Sequence, residues 1–130
     1  MIVVDASVLA PALADDGRDG RIARDRLTGE RLTAPEVIDL EVASVLRGLT
    51  HAGKLTSARA THAVDALAAM PVLRGAHRHL TRRCWELRHN LTPYDAAYVA
   101  LAEALQVPLV TADAHLGRAS GPRCAIEVLS

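Results

Sequence analysis

The sequence predicts an α/β domain built on a parallel sheet. Three observations carry this: short apolar runs rich in β-branched residues and without polar alternation, helical stretches of ten or more residues between them, and a length of 130 residues with half of them hydrophobic. Runs of the first kind are strands buried on both faces, and their alternation with helices argues for right-handed crossovers. The length matches one domain, spanning residues 1–130, large enough to bury a core without staples.

Ile2 to Val4 is the first buried strand and stops at Asp5. Asp19 to Leu27, bounded by Gly20 and Gly29, reads as a helix, and Leu32 to Ala34 as the second strand. Pro35 suits the first turn of a helix running to about His51, with Ile38, Val42, Val45 and Leu49 on one apolar face and Gly53 closing it. Thr56 or Ser57 caps a helix to about Met70, and Pro71, Val72 and Leu73 suggest a third strand. His79 to Asn90 reads as one basic helix, and Pro93 to about Leu105 as another. Leu109 to Thr111 and Ala125 to Leu129 complete five strands.

Composition excludes several classes. The formal net charge is zero, so any basic surface for a polyanion has to be local. With no Phe, one Trp and two Tyr, the core is aliphatic and base stacking cannot be the main route to nucleic acid. Cys84 and Cys124 lack ligand spacing and read as reduced thiols. The apolar N-terminus lacks a positive flank and carries Asp5, which argues for a core strand and against a signal peptide. No apolar run approaches the roughly 20 residues needed to cross a bilayer, so a cytoplasmic protein is expected.

Four acids stand out. Asp5 follows the first strand and Asp113 the fourth, so both fall at the sheet's carboxyl edge, where ligands of such sheets bind. Asp95 lies in the first turn of the helix before the fourth strand. Glu41 falls about 60° from Ile38 on its helix, on the flank of the apolar stripe, a costly address for an unpartnered carboxylate. Singly, three of them have plain structural readings: Asp5 as a helix cap, Asp113 as an Asx turn, and Asp95 as the acid of a Thr92-Pro93-Tyr94-Asp95 helix start. Glu36 and Asp39 read as ordinary solvated acids. Collectively, four carboxylates in one pocket repel unless a cation neutralises them, and an oxygen-only set favours Mg²⁺ or Mn²⁺ over Zn²⁺. The chemistry so implied is phosphodiester hydrolysis. No phosphate loop, dinucleotide fingerprint, nucleophile elbow or zinc-helix motif competes with it, and the six His are scattered.

Val3-Val4-Asp5-Ala6-Ser7, Glu41-Val42-Ala43-Ser44-Val45-Leu46-Arg47, Tyr94-Asp95-Ala96-Ala97-Tyr98-Val99-Ala100-Leu101-Ala102 and Leu109-Val110-Thr111-Ala112-Asp113 together resemble the PIN-domain ribonucleases, above all the VapC-type toxins of toxin–antitoxin pairs. The resemblance runs from Ile2 to about Val128. It implies a three-layer α/β/α fold with a central parallel sheet of about five strands. It also implies that Asp5, Glu41, Asp95 and Asp113 hold one or two Mg²⁺ or Mn²⁺ ions, with Ser7 and Thr111 ordering the site. Cleavage leaving a 5′-phosphate, a homodimer, and a small VapB-like antitoxin that blocks access of RNA belong to the same implication. Arg74, Arg78, Arg82, Arg83 and Arg88 form the candidate RNA surface, a solvated helix face being the other reading. Three other functions are open at this point: a housekeeping PIN nuclease, a receiver-type phosphoacceptor, and a non-catalytic binding module. The receiver lacks its acidic pair beside the first strand and its Lys after the last.

Overall fold

A computed structural model describes residues 1–130. Its elements alternate as expected: β1 (Ile2–Val4), α1 (Ala6–Ala14), α2 (Arg18–Leu27), β2 (Leu32–Pro35), α3 (Ile38–His51), α4 (Ser57–Ala69), β3 (Val72–Gly75), a 3₁₀ turn (Arg78–Leu80), α5 (Thr81–Glu86), α6 (Pro93–Leu105), β4 (Leu109–Thr111), α7 (Ala114–Arg118) and β5 (Ile126–Val128). The strands lie in the order β3-β2-β1-β4-β5, every neighbouring pair parallel. Helices α1 to α4 pack among themselves, while α6 packs on β1, β2 and β4 together with α5. The result is the α/β/α sandwich that the alternation demands.

The order reverses between β1 and β4, since β1 leads outward to β2 and β3 on one side while β4 leads to β5 on the other. At such a switch point the crossovers depart in opposite directions and leave a crevice at the carboxyl ends of the strands. Asp5 and Asp113 flank that crevice. Because α6 runs back into the start of β4, its N-terminus with Asp95 also lies at this edge, as does the first turn of α3 with Glu41.

A cluster of 32 buried hydrophobic residues fills the interior, and β1 and β4 are buried throughout. It is aliphatic apart from Cys84 and Tyr98, the latter being the largest wholly buried side chain. Both cysteines are free, Cys84 buried and Cys124 half-buried. No helix is long and apolar enough to cross a membrane.

Four local departures from the sequence reading have identifiable causes. Helix α1 contains Pro11, which has no N–H to donate to the Ser7 carbonyl one turn back, so local chemistry argues against a helix there. Burial of Val8, Leu9 and Ala10 overrides it. Pro35 ends β2 opposite Gly75 and does not begin α3, which starts at Ile38. The expected helix from His79 to Asn90 is broken into the 3₁₀ turn, the six residues of α5, and tight turns. There the Leu87 N–H is shared between the carbonyls of Arg83 and Cys84, and the Asn90 side chain donates to the Ser120 carbonyl at 2.9 Å. Helix α7 is one short segment that its cap, Asp113, initiates; periodicity over five residues is too little to announce it.

Candidate active site

Asp5 leaves β1 in an extended conformation and caps α1. It is buried, only 7% exposed, and its carboxylate accepts three hydrogen bonds: from the Ser7 N–H (3.1 Å), the Ser7 hydroxyl (2.6 Å) and the Thr111 hydroxyl (2.6 Å). Those two hydroxyls in turn accept from the backbone: Ala112 N–H donates to Ser7 Oγ (2.8 Å) and Asp113 N–H to Thr111 Oγ1 (3.0 Å). Each hydroxyl therefore directs its one proton at Asp5 while holding the loop after β4 in place. Ser7 and Thr111 thus tie the ends of the two strands at the switch point, which gives physical content to a supporting role for both. Burial pushes the Asp5 carboxyl above its ordinary value; the hydrogen bonds from Ser7 and Thr111 pull it down, and the nearby charge of Asp95 adds to the rise.

Glu41 is placed by α3 and oriented by α6. The Tyr98 hydroxyl, deep in the core, donates to Glu41 Oε1 at 2.6 Å. Desolvation raises the Glu41 pKa, the Tyr98 bond lowers it, and the charge of Asp95 raises it again. Tyr98 itself is held far above its usual value by burial and by the acids around it, so it stays a donor at any working pH. No site role for Tyr98 is visible from its sequence context alone. The available signal is its position three residues after Asp95, which places both on the same side of one helix.

The cap reading of Asp95 is correct as far as it goes: Thr92 caps α6, its hydroxyl accepting from the Asp95 N–H at 3.2 Å, with Pro93 in the first turn. The Asp95 carboxyl has a second life. Burial raises its pKa, the charge of Asp113 raises it further, and Thr92 and His115 partly compensate. Asp113 caps α7, accepting from the His115 N–H at 2.9 Å. The fold therefore makes the four acids electrostatic neighbours through Asp95, whose charge Asp5 and Glu41 sense and which itself senses the charge of Asp113.

No three Asp, Glu, His or Cys side chains stand close enough together to form a ready coordination shell. Zn²⁺ would require one, whereas Mg²⁺ retains several waters and takes only one or two carboxylates. Buried and half-buried carboxyls whose pKa values are raised partly by one another, with oxygen donors only, fit a hard cation of the second kind.

Removing the Tyr98 hydroxyl isolates its contribution. Tyr98→Phe should cost about 1–2 kcal/mol in thermal melts, the value of a hydrogen bond to a charged group reduced because Glu41 is half exposed. It should also raise the Glu41 pKa further, displacing the acid limb of the pH–rate profile upward; an unmoved limb would mean that Tyr98 only fills space.

The five arginines separate. Arg74 is held by Asp39 through two bonds of 2.8 Å and by the Leu67 carbonyl, so Asp39 is an ion-pair partner and not a free solvated acid. Arg83 binds Glu103 (2.8 Å) and the Gly121 carbonyl (2.9 Å), anchoring α5 to α6 and the C-terminal segment. Both guanidinium groups are engaged inside the protein. Arg78, Arg82 and Arg88 are exposed and have no carboxylate partner; Arg88 lies 4.4 Å over the centroid of the Trp85 ring.

Residues 2–122 match the PIN domain family. Ribonuclease VapC9 of Mycobacterium tuberculosis is 43% identical over 129 residues, covering 99% of this chain and 98% of its own. Ribonuclease VapC1 of the same organism is 40% identical over 128 residues, covering 98% and 96%. Among solved structures, Mycobacterium tuberculosis VapC20, described as a sarcin-ricin loop cleaving toxin, superposes with a TM-score of 0.69 at 15% identity over 90% of this chain and 93% of that one. The last likeness speaks to the fold alone. Since the match spans nearly the whole chain in both sequence and fold, the chain belongs to the PIN-domain family, on its VapC branch.

Proposed function

We propose that the chain is a metal-dependent endoribonuclease and the toxin of a toxin–antitoxin pair. The observation that supports this is the placement of Asp5, Glu41, Asp95 and Asp113 at one edge of the sheet, with the charge of Asp95 raising the pKa of Asp5 and Glu41 and that of Asp113 raising the pKa of Asp95. The VapC relatives favour a toxin over a housekeeping nuclease, and a receiver domain or a non-catalytic module is not supported.

In this reading Asp5, Glu41, Asp95 and Asp113 would share one or two Mg²⁺ or Mn²⁺ ions, each ion taking one or two carboxylates and completing its shell with water, and the metal would offset the negative charge of the phosphoryl oxygens and lower the pKa of a bound water. The chain's own groups do the positioning. Asp5 is fixed by Ser7 and Thr111 and cannot rotate without breaking three hydrogen bonds. Glu41 is aimed by Tyr98. Asp95, with its raised pKa, is suited to take the proton from the attacking water at a carboxylate oxygen. Asp113, tethered to the start of α7, adds negative charge that Asp95 senses. The partner is a small VapB-like antitoxin that covers this edge, and the active form is a homodimer in the cytoplasm.

Purified chain freed of partner should cut RNA in Mg²⁺ or Mn²⁺ and stop in EDTA. Cleavage undiminished by EDTA would remove the metal from the reading.

A further inference from the structure

Trp85, Arg88 and the cleft that joins Arg88 to Asp95 have no part in holding the acids. Trp85, the chain's one tryptophan, is 63% exposed on α5, although a large aromatic in so aliphatic a protein would be expected inside. The Arg88 guanidinium lies 4.4 Å over its ring centroid and donates to the Trp85 carbonyl at 2.9 Å, so the cation is held against the ring. Arg88 also lines a cleft of about 360 Å³ whose walls include Asn90, Thr92, His115 and Asp95. The cleft therefore joins Arg88, which lies over the Trp85 ring, to Asp95. His115 is close enough to Asp95 to lower its pKa.

Each feature selects a ligand property. A ring with an Arg stacked on it offers a π-face and a cation together, which suits a nucleobase. Arg88 and His115, neither with a carboxylate salt bridge, supply donors for a phosphodiester backbone. A base within a duplex is already stacked and cannot reach such a platform, so the ligand is an unpaired nucleotide. Arg74 and Arg83, tied to Asp39 and Glu103, do not contribute.

We propose that the Trp85–Arg88 stack seats one unpaired base of the RNA strand, and that the cleft past Asn90, Thr92 and His115 leads the strand's backbone to Asp95. The proposal rests on the ribonuclease reading of the neighbouring acids and adds to it a fixed position for one base of the strand. Such stacking is sequence-tolerant, because every base has a π-face.

Because Trp85 is the sole tryptophan, its fluorescence reports the platform directly. The full-length chain, with Ca²⁺ replacing Mg²⁺ to slow cleavage, is titrated with a single-stranded oligouridylate, with an abasic ribose-phosphate oligomer of the same length, and with an RNA duplex. The oligouridylate should quench the emission, and the other two should not. Labelled-strand anisotropy should show about tenfold weaker binding for Trp85→Ala, near-complete recovery in Trp85→Phe, and for Arg88→Ala a salt dependence of log K shallower by about one. Both side chains are exposed, and melting curves at the wild-type temperature confirm that the variants are folded. Equal quenching by the abasic oligomer would overturn the stacking, as would unchanged affinity of Trp85→Ala for a strand that the protein cleaves. Quenching without cleavage in any metal would uphold the stack and reject the nuclease reading, so the two fail separately.

Discussion

Asp95→Asn is expected to lower RNA cleavage by on the order of 10³-fold or more while leaving the chain folded, with a melting temperature within a few degrees of wild type or above it. The separation is possible because the two roles of this residue use different atoms. The helix start depends on the Thr92 hydroxyl accepting from the Asp95 backbone N–H, which Asn retains. Asn loses a favourable charge at a helix N-terminus, worth about 0.3–1 kcal/mol at most, and gains relief from Asp113 and from the acids that Asp95 disturbs. In the proposed reaction the charge itself belongs to the chemistry. Were Asp95 only part of a cap, the substitution would lower the melting temperature slightly and leave the rate alone. Asp5 is a poorer test of the same idea: its carboxylate accepts three hydrogen bonds, and an amide offers only one acceptor oxygen, so Asp5→Asn should damage fold and activity together. Rate and melting temperature measured on both variants distinguish a catalytic hub from a structural one.

The second large effect is thermal. Asp5, Glu41 and Asp95 all have folded-state pKa values above their unfolded ones. In the window between the two, the folded chain binds more protons than the unfolded chain, so stability falls as pH rises through it, and the loss persists at neutral pH. In EDTA, acidification from pH 7 should therefore first raise the melting temperature. Further acidification should lower it, because Glu103, whose pKa is lowered overall although burial opposes this, and Glu30, lowered chiefly by Arg26, are needed ionised for their ion pairs.

Under the proposed metal binding, a divalent cation should remove the same penalty at pH 7. At about 100 times its dissociation constant Mn²⁺ should stabilise by roughly 2.7 kcal/mol, on the order of 10 °C for a domain of this size. Glu41→Gln keeps an acceptor for Tyr98 and deletes one charge; it should melt at or above wild type in EDTA, by less than about 1 kcal/mol given its exposure, and gain less from Mn²⁺. Melting curves for the two chains with and without Mn²⁺ are decisive: destabilisation of Glu41→Gln that ignores the metal would make Glu41 a structural carboxylate.

Short-range pattern was enough to determine the class of fold and the addresses of the acids. Ile2–Val4 and Leu109–Thr111 are buried runs whose ends carry Asp5 and Asp113, and Thr92, Pro93 and Asp95 mark the start of α6; all are readable because strand periodicity and capping act over a few residues. Partner choice acts across the chain. Ser7 meets Thr111 across 104 positions, Glu41 meets Tyr98 across 57, and Arg74 and Arg83 are drawn out of the basic surface by Asp39 and Glu103, 35 and 20 positions away. Helix α1 forms through Pro11 because the core of the folded chain rewards burial of Val8 and Leu9 more than the local backbone resists it. Residue type and spacing thus determined which carboxylates lie at the sheet's edge. Only the tertiary structure decided which of them share a field, which hydroxyls hold them, and which arginines remain free, because desolvation and ion pairing depend on what the fold brings within a few ångströms and not on separation along the sequence.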